Sequence, residues 1–248
     1  MQMNYLSPSR LSRFAQCALS FKFKYIDPPS WEDETTEWYG SYGSLMHELL
    51  EKMAKGELSA DAATHLYYQH YRYCGIPADQ HENYYSSGIG ALQQKGTELD
   101  KLRPNIIGVE LKFNEMLDFT IPPLHGFIDL VYQDEFGLVV RDYKTSRVYD
   151  STIMKKQLQP YIYSLVCKSI YGKHPYKFEF DFIRFGEIKS VLIDDNFIKL
   201  GEIKVRNYWN KILKSNFPAT YSPFYCANFC EYRSICPEFQ KKIGYRGK

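Results

Sequence analysis

Apolar positions change period twice along the chain. From the N-terminus to about residue 102 they recur at helical spacing. Leu11, Phe14 and Ala18 follow a Ser7-Pro8-Ser9 start that supplies a cap, and further helical patterns cover about 44–55, 60–73 and 84–102. A polar, proline-containing stretch at 27–41 interrupts them. From Ile106 the period falls to two. Ile106-Ile-Gly-Val-Glu-Leu-Lys-Phe, Gly126-Phe-Ile-Asp-Leu-Val-Tyr and Gly137-Leu-Val-Val-Arg-Asp-Tyr are rich in β-branched and aromatic residues. Turn signals at Pro122-Pro123 and Asp134-Glu-Phe-Gly137 separate them, so they predict a three-stranded meander. A helix over about 153–171 follows. Next comes the alternating run Tyr176-Lys-Phe-Glu-Phe-Asp-Phe-Ile-Arg-Phe, a strand that Lys189-Ser-Val-Leu-Ile pairs with across Gly186. A long helix over about 194–214 leads into a cysteine-rich tail. This order predicts an α/β protein with helices around a central mixed sheet. It reads as one domain over 1–248, with a helical part at 1–104, a core at 105–193, and a C-terminal helix and cysteine segment at 194–248.

Composition narrows the class. With 44% hydrophobic and 24% charged residues over 248 positions, the chain has material for a sizeable core. A formal net charge of +2 excludes a histone-like polycation, so contact with nucleic acid would need a local basic patch. No apolar run reaches the ~18 residues of a membrane span, and Met1-Gln2-Met3-Asn4-Tyr5 has no signal-peptide core; the expectation is a cytoplasmic protein with no membrane partner. In that compartment the six cysteines are expected to be reduced. Cys74 and Cys167 stand alone. Cys226, Cys230 and Cys236 fall within eleven residues, and Cys17 is the best fourth partner for them. Four thiolates suit a tetrahedral zinc or an iron–sulfur cluster, and unliganded buried thiols remain the third reading.

A second constellation carries acid and base chemistry. Asp142 and Lys144 share one face of a strand, and Asp129 lies on the strand before it. If the two strands pair through the turn at 134–137, the two carboxylates converge at one end. Such a pair offers hard oxygen ligands for Mg²⁺ or Mn²⁺, and a lysine beside it can position an attacking water. Alone, this pattern is as easily an ion pair at a strand end.

Six motifs in order give the pattern its meaning. They are the N-terminal helix with Ser9 and Cys17; Gly43-Ser-Leu-Met-His47; Gly126-Phe-Ile-Asp129; Asp142-Tyr-Lys144-Thr145; Gln157-Leu-Gln-Pro-Tyr161; and Cys226, Cys230 and Cys236-Pro. From residue 7 to 237 the chain resembles the PD-(D/E)XK nucleases, in particular the RecB-like branch with an iron–sulfur cluster, which includes AddB-type helicase-nucleases and CRISPR-associated RecB-like exonucleases. The resemblance implies a restriction-endonuclease-like core and a metal-dependent DNA exonuclease acting on single strands or DNA ends. It implies His47, Asp129 and Asp142 as ligands of Mg²⁺ or Mn²⁺, Lys144 as the residue that positions the nucleophile, and Gln157 and Tyr161, on one helix face, as contacts to the scissile strand. Cys17, Cys226, Cys230 and Cys236 would hold a 4Fe–4S cluster. Glu110 is a further acidic candidate near the site, and the tail Lys241-Lys242…Arg246-Gly-Lys248 is a basic end suited to backbone phosphate. With no Gly-x-x-x-x-Gly-Lys-Ser/Thr present, helicase activity would belong to a separate helicase, recombination or CRISPR adaptation partner. Two rival readings are a non-catalytic DNA-binding module and a zinc-stabilised adaptor of a recombination or repair complex.

Overall fold

The first helix ends at a cysteine. The computed structural model describes residues 3–30 and 38–243, so Arg246 and Lys248 of the basic tail lie outside the described residues. Helix α1 (Pro8–Gln16) is capped by Ser7, whose Oγ accepts from the Arg10 N–H at 3.1 Å. Cys17 follows in extended conformation and separates α1 from α2 (Ala18–Tyr25). The helical half continues with α3 (Trp38–Ala54), α4 (Ala60–His70), a 3₁₀ turn at Tyr71–Cys74, and α5 (Ala78–Leu102).

The predicted meander forms as β1 (Ile106–Glu115), β2 (Leu124–Gln133) and β3 (Leu138–Lys144). After it the structure departs from the single helix expected over 153–171. Pro160 would fall inside that helix, where its ring clashes with the preceding turn and it cannot donate a hydrogen bond. The chain instead forms α6 (Ser151–Lys156), breaks at the extended Gln157, and restarts as α7 (Gln159–Tyr171) with Pro160 in its first turn. Then come β4 (Lys177–Phe182), β5 (Glu187–Leu192), α8 (Asp195–Lys214), α9 (Pro223–Asn228) and α10 (Pro237–Lys242).

The five strands form one mixed sheet in the order β1-β2-β3-β4-β5. All neighbours are antiparallel except β3 and β4, whose parallel pairing requires the crossover that α6 and α7 provide. Alternation along the strands builds two cores. Leu130, Tyr132, Val139 and Tyr143 pack against Met46, Leu49, Leu50 and Leu92 of α3 and α5. Val131, Val140, Phe178 and Phe180 pack against Ile162 and Val166 of α7 and Trp209 and Ile212 of α8. Among the described residues no helix is long and apolar enough to cross a membrane.

Behind the sheet, under α5, lies a buried ionic network. Arg141 Nε donates to Glu179 Oε2 at 2.9 Å, and its guanidinium also pairs with Glu98. Lys95, 1% exposed, lies 2.6 Å from both Glu98 Oε2 and Asp181 Oδ2. Asp181 and Glu179 are buried and Glu98 is partly so, and the buried charges are tolerable only together. Lys95→Met should therefore strand Asp181 and cost about 3–5 kcal/mol, read as a lowered denaturant midpoint at unchanged slope. A cost under about 1 kcal/mol would mean the network is not what holds α5 on the sheet.

Candidate active site

The chemistry gathers where β2 and β3 part. Their ladder runs from Gln133↔Leu138 to Leu130↔Arg141 and stops. The next pair in that register would be Asp129 and Asp142. Instead of closing the ladder, Asp129 turns its carboxylate inward and Oδ2 accepts the Tyr143 N–H at 2.7 Å. On the other side of β2, the pairs Val109↔Leu130 and Leu111↔Ile128 place Glu110 opposite Asp129. Three carboxylates on three adjacent strands thus form one row. Glu110 sits in the left-handed region, at φ 44°. For a residue with a Cβ that is a strained conformation, costing on the order of 1–3 kcal/mol, and such strain collects at functional sites.

Helix α3 supplies the nitrogen ligand. Its apolar face, with Met46, Leu49 and Leu50, seats it on the sheet and leaves His47 over the strand ends. Nδ1 lies 3.4 Å from Asp129 Oδ1 and Nε2 lies 3.0 Å from the Tyr143 carbonyl oxygen. Burial opposes a charge on this ring. The hydrogen bond and charge of Asp129, with Asp142 behind it, outweigh burial and push the imidazole up to about 9. The acids respond to the same crowding. Burial, eased by Lys144 and aggravated by Asp129, pushes Asp142 up to about 6; burial and Asp129 also raise Glu110.

A divalent cation fits this set. One ligand atom each from His47, Glu110 and Asp129 lies within 4.8 Å of the others. Ligands on an octahedral Mg²⁺ with ~2.1 Å bonds stand about 3 to 4.2 Å apart, so a small closure completes the geometry. The ion would also offset the charge of Asp129, which adds to burial in raising Asp142 and Glu110. Asp142 is held differently from the sequence expectation. It pairs with Lys144 Nζ through Oδ2, while its Oδ1 accepts from Gln159 Nε2 at 2.6 Å. Gln159 Oε1 in turn accepts from Lys144 Nζ at 2.7 Å, closing a triangle that fixes the lysine.

Gln159 was not foreseen, and it replaces Gln157. The expected helix face linking Gln157 and Tyr161 does not exist, because Gln157 lies in the break before α7 and donates to the Ile153 carbonyl at 3.3 Å. Tyr161 stacks on Phe197, centroids 4.2 Å apart, beneath Lys204. Neither reaches the carboxylates. The same four-residue spacing recurs two positions on, at Gln159 and Tyr163, and there both side chains face the site: Tyr163 is buried near Gln159 and Asp142. The doubled pattern was visible in the sequence. Only the helix restart at Pro160 selects its register.

Cys74 and Cys167 lie apart, in the two separate cores, while Cys17, Cys226 and Cys230 lie near one another. All six are free thiols. Cys17 Sγ accepts the Thr220 N–H at 3.4 Å, and Cys226 Sγ accepts the Ser222 N–H at 3.4 Å and approaches the Thr220 carbonyl at 3.9 Å. Burial, with Cys226 and Cys17 nearby, pushes Cys230 up to about 11 against one hydrogen bond to the backbone at Tyr232. Cys236 caps α10. Among the described residues no three sulfurs lie within 4.8 Å of one another, which is wider than the ~3.8 Å edge of a tetrahedral zinc site. Beside them, Arg13 makes two bonds to Glu231, at 2.9 and 3.0 Å, tying α1 to the tail.

Comparisons with known proteins agree with this architecture. The family model of the PD-(D/E)XK nuclease superfamily matches residues 5–237. No curated protein matches the sequence. A crystal structure from Eubacterium rectale named "Putative exonuclease" is 14% identical, covers 86% of each chain and superposes with a TM-score of 0.51, a likeness of fold. The structure of SSO0001 is 15% identical over 96% of this chain and 88% of its own, with a TM-score of 0.40.

The geometry separates ligands from bystanders. Calorimetric titration with Mn²⁺ should show Asp129→Asn and Glu110→Gln weakened at least tenfold, with Gln157→Ala unchanged. Wild-type affinity in Glu110→Gln would remove that residue from the ligand set.

Proposed function

The chain belongs to the PD-(D/E)XK nuclease superfamily, and on that premise we propose that it is a Mg²⁺- or Mn²⁺-dependent deoxyribonuclease, an exonuclease of the RecB-like branch that works on single strands or DNA ends. The observation that carries this reading is the row Glu110–Asp129–Asp142 with Lys144 locked beside it by Gln159. When bound, the metal lowers the pKa of a coordinated water and neutralises charge on the phosphate. His47, Glu110 and Asp129 hold it, and Asp142 completes the negative field from the next strand. Lys144 stays protonated: burial works against its charge, but Asp142 raises its pKa further. Its ammonium therefore orients the attacking water and stabilises the charge that develops on phosphate oxygens, rather than removing a proton. Gln159, bonded also to Asp142, fixes that ammonium.

A polyanionic substrate is supported by the groove beside α6. About 790 Å³ in volume, it is lined by Lys155, Lys156, Lys204 and Lys211 with Gln157 and no acidic residue. Four lysines without counter-charges there form the local basic patch that the near-neutral net charge left to be found. In this reading Gln157 and Tyr161 border the strand's path rather than the reacting phosphate. Cys17, Cys226, Cys230 and Cys236 hold a 4Fe–4S cluster that closes a single domain, and strand separation falls to a partner. The approach of two thiols, Cys17 and Cys226, to Thr220, with Cys230 close enough to feel both, supports the cluster.

With DNA labelled at the 5′ or 3′ end, single- or double-stranded, cleavage should appear with Mn²⁺ or Mg²⁺ and vanish in EDTA. Lys144→Ala should lose about 10²–10⁴-fold in rate, and Gln159→Ala on the order of 10²-fold. Gln157→Ala should stay within a few-fold of wild type. Full cleavage in EDTA would exclude the mechanism, and a wild-type rate in Gln159→Ala would remove the positioning role.

Iron content tests the second centre. Cys17→Ser should lose iron and become sensitive to protease at both ends of the chain, because the cluster joins α1 to the tail. Cys74→Ser and Cys167→Ser should keep their iron. An iron-free wild type purified anaerobically would rule the cluster out.

A further inference from the structure

Directly after Lys144 the chain leaves the sheet as Thr145-Ser146-Arg147, and this segment forms one wall of a cleft of about 520 Å³. The opposite walls carry Tyr39, Arg184, Phe185, Phe224 and Phe229. That volume lies within the ~300–1,000 Å³ of ordinary small-ligand sites. Two features are unusual together. The rings are open to solvent, Phe185 at 52%, Phe224 at 71% and Tyr39 at 41%, so the cleft presents aromatic faces to whatever enters it. Among the described residues the cationic groups also have no acidic partner. Among the described residues Arg184 is held by neutral partners: Nη2 donates to Asn83 Oδ1 at 2.6 Å, Nε to Ser87 Oγ at 3.1 Å and Nη1 to the Thr145 carbonyl at 3.4 Å, while the guanidinium lies 3.3 Å over the Tyr84 ring. Its position is fixed and its charge is left available. Arg147 is exposed and has no ion-pair partner among the described residues.

Aromatic faces beside fixed guanidinium groups match a nucleotide: the base stacks and the phosphate pairs. An unpaired base offers both faces, whereas inside a duplex each base is stacked on both sides and only a terminal pair exposes one face. We propose that this cleft binds an unpaired nucleotide adjoining the scissile phosphate, with its base stacked on Phe185 and Phe224 and its phosphate on Arg184 and Arg147. The assignment rests on the nuclease reading and extends it from the reacting phosphate to its neighbour. The contiguity of Thr145 with Lys144 places the two sites side by side.

The test uses a single-stranded oligonucleotide carrying 2-aminopurine, mixed with the full chain in EDTA so that nothing is hydrolysed. Wild type should quench the fluorophore by stacking. Phe185→Ala/Phe224→Ala, which alters only exposed side chains, should lose the quench and bind about tenfold or more weakly. Arg147→Ala should lower the salt dependence of binding by about one counterion. With Mn²⁺, wild type should cleave the single strand faster than a blunt duplex, and the double variant should lose much of that preference through KM. Unchanged quenching and affinity in the double variant, or equal cleavage of blunt duplex by wild type, would overturn the inference while leaving the nuclease reading intact. Quenching without cleavage by wild type in Mn²⁺ would do the reverse.

Discussion

The register between β2 and β3 governs the rest of the molecule. As long as the two strands pair, their backbone groups satisfy each other and their side chains serve the two cores. At Leu130↔Arg141 the pairing ends, and the Tyr143 N–H must find another acceptor. It finds the Asp129 carboxylate. That single hydrogen bond repairs the sheet edge and fixes one oxygen of Asp129 in the plane of the strands, leaving the other to face His47. A site built on strand ends in this way inherits the rigidity of the sheet. The left-handed Glu110 is the corresponding distortion on the opposite flank of β2. Both strands give up regular geometry at the one level where carboxylates must approach one another.

The alternation of β3 separates charge of two kinds. Arg141 and Asp142 are consecutive and point to opposite faces. Arg141 enters a network in which it, Lys95 and Lys177 balance the three carboxylates Glu98, Glu179 and Asp181, so nothing there attracts a cation. Asp142 faces a cluster in which acids outnumber the available lysine, and burial raises its pKa. The same residue types, one position apart, give structure on one face and a cation site on the other. Local charge balance makes the difference, which residue identity alone does not reveal.

This explains what could be read in advance. The change from helical to strand periodicity located the meander, because each strand has one face in each core. The Asp129/Asp142 convergence followed from simple register counting through the turn at 134–137. Glu110 was expected only as a further acid near the site; the same counting one strand further sets it opposite Asp129, and its left-handed backbone is the part that the alternation does not show. Gln159 was hidden for another reason. Two overlapping copies of one spacing, 157/161 and 159/163, are equivalent on a continuous helix; Pro160 makes the helix discontinuous and so decides between them. The lysine groove was invisible because its residues come from α6 and α8, about fifty positions apart, and balance out in the total charge.

The tail connects these parts. A cysteine segment that only stapled the termini could present any surface between its thiols. Here the residues between Ser222 and Cys230 include Phe224 and Phe229, whose rings meet at 5.5 Å, and Phe229 lies 5.5 Å from Tyr39 at the start of α3. Helix α3 is also the element that carries His47. The contacts that hold the tail against α1, the Arg13–Glu231 pair and the Cys17–Thr220 bond, therefore also set the far wall of the cleft beside Lys144. Loosening the tail would widen that cleft without touching a carboxylate. Stability at the cysteine end and selection of substrate at the strand ends are, in this fold, properties of the same segment.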